Sequence, residues 1–185
     1  MKNTTIGLAF ALIAGLSLLA PVSLAYADRG SRTYSYYIGA GPVCGLAPDA
    51  CPVISTAENG DTITVTGSGT FSLRPFSATG GGNFIHKDSS GNVLGAGTWV
   101  ASKLLGFHSF GDATPQGLPS NLEGGQLVLR VQLLVDGNPV FNAILNIDCE
   151  LGKIPPGQHE GITLNVQGAI NFNQKVSGFT VLVRT

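Results

Sequence analysis

The stretch DTITVTGSGTFSLRP, Asp61 to Pro75, alternates without a break. Ile63, Val65, Gly67, Gly69, Phe71 and Leu73 fall on one side, and Thr62, Thr64, Thr66, Ser68, Thr70 and Ser72 on the other. Successive side chains point to opposite faces only in an extended chain, so a strict period of two predicts a half-buried strand or hairpin. The pattern recurs along the chain. In QLVLRVQLLVD, Leu127, Leu129, Val131, Leu133 and Val135 stand opposite Gln126, Arg130 and Gln132. In VFNAILNIDCE, Phe141, Ala143, Leu145, Ile147 and Cys149 stand opposite Asn142, Asn146, Asp148 and Glu150. Asp136-Gly137-Asn138-Pro139 joins these two runs and reads as a hairpin turn. ITLNVQGAI and VSGFTVLVRT add two more alternating runs.

The middle of the chain is rich in glycine. TGGGNFIHKDSSGNVLGAGTWVASKLL reads as two strands joined at Asp88 to Asn92. Glycine inside a strand marks a bulge, strong curvature or close backbone approach. Gly80 to Gly82, Gly95 and Gly97 therefore leave gaps over which Phe84 and Trp99 can pack. Ser109 to Gly125 carries Gly, Pro, Asp and Asn throughout and reads as a long loop.

About eight antiparallel strands with one apolar and one neutral-polar face define an all-β chain. The expected fold is a single-domain antiparallel β-barrel, with a two-sheet β-sandwich as the alternative. Residues 28–60 contribute an N-terminal strand and a Cys-containing loop, and residues 61–185 the rest of the same domain. At the level of fold alone such a barrel is similar to the allene oxide cyclase and dirigent type, although no signature stretch of those families occurs.

The N-terminus predicts export. Lys2 is followed by an apolar run from Ile6 to Leu19, then Pro21 and the small-x-small pattern Ala25-Tyr26-Ala27. This is a secretory signal peptide over residues 1–27, cleaved near Ala27. The apolar run is shorter than the ~20 residues of a spanning helix, and no later stretch is longer, so the mature chain is expected to be secreted, extracellular or at the cell surface, with no membrane span. Charged residues make up 11% of the chain, against about 25% in an average globular protein. No basic run is present, which argues against nucleic acid as a partner.

In an oxidising compartment cysteines pair. Cys44 and Cys51 bracket GLAPDA, and a bridge across so short a loop is worth about 2.5 kcal/mol in the chain-entropy picture. Cys44–Cys51 is the expected disulfide, and a bond from Cys149 to either is the rival. Left over, Cys149 shares the apolar parity of Leu145 and Ile147 and reads as a buried thiol. A metal site would need Cys149 with His159 and either His86 or His108, a His₂Cys set of the blue-copper kind. The chain has no methionine other than Met1 to complete such a centre, and no cofactor is expected.

The segment DCELGKIPPGQHEG, Asp148 to Gly161, is expected to be a strand end and surface loop, with Asp148 and Glu150 solvated. Were the polar strand face to line a lumen, Arg130, Gln132, Asn142, Asn146 and Asp148 would point inward, and Arg130, Asp148 and His86 become candidate catalytic residues. Tyr34, Tyr36 and Tyr37, with Trp99, are candidates for an aromatic sugar-binding face, alongside Asn142 and Asn146 as polar ligand contacts. The functional expectation is a secreted, non-enzymatic β-domain that binds a small molecule or glycan, or associates with its own copies. The alternatives are a small secreted barrel enzyme of isomerase or cyclase type, and a metal-binding protein.

Overall fold

The computed structural model describes residues 32–45 and 47–185; the signal-peptide segment lies outside them. Among the described residues ten strands form one antiparallel sheet, with two short 3₁₀ turns and no α-helix. The strands are β1 Thr33–Ile38, β2 Val53–Ala57, β3 Thr62–Leu73, β4 Phe76–Lys87, β5 Val93–Asp112, β6 Leu122–Val135, β7 Asn138–Cys149, β8 Gly161–Val166, β9 Asn171–Ser177 and β10 Thr180–Arg184.

Five long strands, β3 to β7, run as a meander in which each pairs with the next. The β6–β7 turn shows why the sequence folds there. Asp136 and Gly137 both have positive φ, at 49° and 76°, the backbone that a two-residue hairpin matched to the sheet twist requires.

The sheet returns on itself because two strands share one edge of β3 and two share one edge of β6. β2 pairs with Thr62–Val65 of β3, and β1 with Gly67–Ser72. β10 pairs with Leu122 and Glu123 of β6, and β7 with the rest from Gly125 onward. Following the pairings gives two circuits. One contains eight strands, β3-β4-β5-β6-β7-β8-β9-β2; the other contains six, β3-β4-β5-β6-β10-β1. They lie at opposite ends of the meander.

The apolar parity faces the interior. Ile63, Val65, Phe71, Leu127, Leu129, Val131, Leu133, Ala143, Leu145, Ile147, Ile162 and Leu164 are all buried in one cluster. The expected glycine gaps are present. Gly67 lies opposite Gly82 and Gly69 opposite Gly80. A Cβ on Gly69 would strike the Tyr36 hydroxyl, and one on Gly67 the Trp99 ring. The cross-strand glycines thus make room for two buried rings.

Three details differ from the sequence reading. The strand count is ten because Val53–Ala57 and Asn171–Ser177 also pair, through register shifts; one is very short and the other buries only Phe172 well. The loop read over Ser109 to Gly125 shrinks to residues 113–121, since β5 continues to Asp112 and β6 begins at Leu122. Gly124 serves close approach rather than a turn, because a Cβ there would collide with the Leu151 carbonyl. Asp148 is buried rather than solvated, because β9 places Lys175 against it.

Candidate functional site

The eight-strand end holds a cavity of about 390 Å³, within the range of small-molecule sites. Its wall comes from seven consecutive members of the circuit: Ile63 of β3, Phe84 and His86 of β4, Leu94 and Gly95 of β5, Leu133 and Val135 of β6, Val140 and Phe141 of β7, Val166 of β8, and Phe172 of β9, with Ala169 and Ile170 from the turn between the last two. Leu133 lies directly across from Trp99, and Phe84 lies two residues along β4 from Gly82, the other partner of Trp99. Trp99 is buried and donates its indole N–H to the Thr66 carbonyl at 3.1 Å. Phe141 is 48% exposed, so the cavity opens at the rim.

His86 is the one polar side chain in that lining. It shares parity with Phe84 and lies across from Ile63 and Gly95. Its Nε2 is 2.9 Å from Asp61 Oδ2, and Asp61 is 8% exposed. The ring meets Phe172 edge-on at 5.1 Å. Asp61 sits at the start of β3, where its carbonyl accepts from Ala57 N–H and its N–H donates to Asn59 Oδ1. The carboxylate is therefore held by the β2–β3 turn, and the imidazole by the carboxylate.

The six-strand end is filled instead. Tyr34, Phe71 and Phe107 form a ring cluster, with Tyr34 and Phe71 stacked 4.7 Å apart. Glu123, 3% exposed, accepts from the Tyr34 hydroxyl at 3.2 Å and from Ser109 Oγ, and lies 3.5 Å from Arg184. Burial, and then the Glu123 charge, push the Tyr34 phenol above its ordinary range. Nearby, Glu160 accepts from the Thr180 N–H and hydroxyl and from the Glu150 N–H. Burial nevertheless pushes its carboxyl up.

The other sequence candidates fall away from the cavity. Arg130 and Asn142 are exposed on the outer face. Asn146 donates to Thr163 Oγ1 at 2.9 Å, and Asp148 accepts from Lys175 Nζ at 2.6 Å. Together with Gln126, Thr163 and His159 they line a separate outer concavity of about 460 Å³, in which Asp148 Oδ1 is buried without a partner among the described residues. Tyr36 is wholly buried and donates to the Thr79 carbonyl, whereas Tyr37 is half-buried beside Gly41. Tyr36, Tyr37 and Trp99 thus do not share one exposed face. Cys44 and Cys51 are bonded. Cys149 is a buried free thiol, pushed up to about 12 by burial and then by Glu160. Among the described residues no group of three or more His, Cys, Asp or Glu side chains is placed to hold a metal ion; His159 lies exposed on the β7–β8 loop, and His86 at the other end.

Sequence reasoning missed Asp61 and the apolar rim. The signal for His86 was present, since Phe84 and His86 alternate with Ile85. The signal for Asp61 was not, because its partner comes from across a hairpin whose register no local pattern sets.

No family model matches the chain, no curated protein matches it, and no solved structure matches it.

Proposed function

We propose that the ring of strands is a closed β-barrel and that the protein is an exported, non-enzymatic carrier or sensor of a small, largely apolar molecule, held at the eight-strand end. The single observation that carries this reading is the cavity itself: seven strands in circuit order present apolar side chains to one open space. In a filled structural barrel those side chains would meet one another. The signal-peptide pattern and the Cys44–Cys51 bond are compatible with an oxidising destination.

N-phenyl-1-naphthylamine, a neutral dye that brightens in apolar surroundings, tests the reading. One saturating site per chain is expected. Gly95 gives the control, because its Cβ position meets nothing within 4 Å and the residue lines the cavity. Gly95→Phe should fill the space, keep the fold and abolish the dye signal. Dye binding that does not saturate, or that survives Gly95→Phe unchanged, would overturn the proposal.

The enzyme reading of isomerase or cyclase type moves with the geometry. Within the cavity it has His86 backed by Asp61, and neither Arg130 nor Asp148. Slow turnover lost in both His86→Phe and Asp61→Ala would favour it over simple binding.

A further inference from the structure

The side chains lining the cavity are apolar except for His86, and that exception specifies its occupant. Asp61 Oδ2 lies 2.9 Å from His86 Nε2. An ionised carboxylate can only accept, so in the neutral imidazole the proton of this bond resides on Nε2. The other ring nitrogen, Nδ1, then carries a lone pair. Among the described residues it has no hydrogen-bond partner, and it is not among the polar atoms sealed from solvent. The ring is held on two sides, by Asp61 and by the edge of Phe172. The ring thus lines a wall that is otherwise Phe, Leu, Val, Ile, Ala and Gly, and Nδ1 is its one nitrogen without a bonded partner among the described residues.

We infer that His86 Nδ1 accepts a hydrogen bond from the ligand, so that the natural occupant is an apolar molecule bearing a hydroxyl, an alcohol or a phenol. Two neighbouring classes fit less well. A pure hydrocarbon would leave Nδ1 dehydrated with no donor, a cost that buried acceptors do not escape. A carboxylate would find no lysine or arginine in the lining and would bring a second negative charge towards Asp61. A hydroxyl supplies the donor and no charge. This inference rests on the cavity being a ligand site, and the experiment separates the two.

The test compares 2-naphthol with 2-methoxynaphthalene, which have the same ring system and the same oxygen position, only the first having a donor. Affinities are measured by calorimetry for the wild-type chain and for His86→Phe. In the wild type 2-naphthol is expected to bind about two- to tenfold more tightly than its methyl ether, the span of one net hydrogen bond. In His86→Phe the two should bind alike. The ¹⁵N resonance of His86 Nδ1, read in the wild-type protein, gives a second measurement should the variant not fold. It should shift with 2-naphthol and stay in place with the ether. If neither compound binds, the ligand site itself is wrong and the inference falls with it. If both bind the wild type equally, or the preference persists in His86→Phe, or Nδ1 is unmoved, the cavity stands and the hydroxyl assignment is overturned.

Discussion

The two ends of the sheet are built from the same meander and come out opposite. At the six-strand end, aromatic rings and a buried carboxylate fill the interior: Tyr34, Phe71 and Phe107, with Glu123 taking hydrogen bonds from Tyr34 and Ser109. At the eight-strand end a comparable set of apolar residues leaves about 390 Å³ between them. The cause is the circuit, not the residue types. More strands around a ring set its walls farther apart, and side chains of ordinary size then stop short of one another. One end is filled; the other keeps an open space.

Substitutions that treat the ends alike should therefore give unlike results. The largest difference is expected from phenylalanine truncation. Phe71→Ala, at a ring 1% exposed, should cost about 3–5 kcal/mol in denaturant unfolding. Phe141→Ala, at a ring 48% exposed on the cavity rim, should cost under about 1 kcal/mol while weakening dye binding. Equal losses at both sites would erase the contrast.

A smaller effect is expected at the buried carboxylate. Glu123→Ala leaves the Tyr34 and Ser109 hydroxyls without their acceptor, at a cost of about 1–3 kcal/mol in the same assay. Asp61→Ala at the open end should cost less, because its partner His86 remains accessible to water.

Glu160 supplies a pH signature for the filled end. Its carboxyl is held above the ordinary 4.5 by burial, so the folded chain takes up that proton more tightly than the unfolded chain does. Stability from this group is accordingly lowest above the raised folded value. It increases as pH falls through that value towards 4.5 and is fully gained below it. The difference in unfolding free energy between wild type and Glu160→Gln should vary with pH in that window and flatten outside it. A difference that is constant with pH would remove Glu160 from the account.

The smallest expected effect is no reaction at all. Cys149, pushed up to about 12, should resist iodoacetamide in the folded protein at neutral pH and take one equivalent after unfolding. Rapid native labelling, read by intact mass, would mean that the filled end opens readily.

Much of the architecture was legible in the sequence because parity is a local property. The alternation in residues 61–75, 126–135 and 141–149 announces strands whose apolar faces are mostly buried as written, Phe141 at the rim being exposed, and Asp136-Gly137 announces their turn. The Cys44–Cys51 pair and the buried Cys149 follow from loop length and parity in the same way. What was not legible is everything set by closure. Nothing local says that β1 and β2 share one edge of β3, and hence nothing says that one circuit has eight members and the other six. The cavity is a product of that count, so its wall of Phe141, Val166, Ile170 and Phe172 could not be assembled from the sequence. Polar parity also misled at Asp148, which sits on the outward face yet is covered by Lys175 of a distant strand.

The pairing of β1 with β10 has a consequence for the order in which the molecule assembles. Thr185 N–H donates to the Thr33 carbonyl at 2.9 Å, joining residues 152 positions apart. The meander forms from neighbours, whereas this seam must wait for both distant strands to be brought together against the loop entropy of the chain between them. Its strands should therefore gain protection last when refolding is followed by pulsed hydrogen exchange. Until then the aromatic rings at that end are unroofed, and the chain passes through a stage in which Tyr34, Phe71 and Phe107 are exposed at the end that finishes filled.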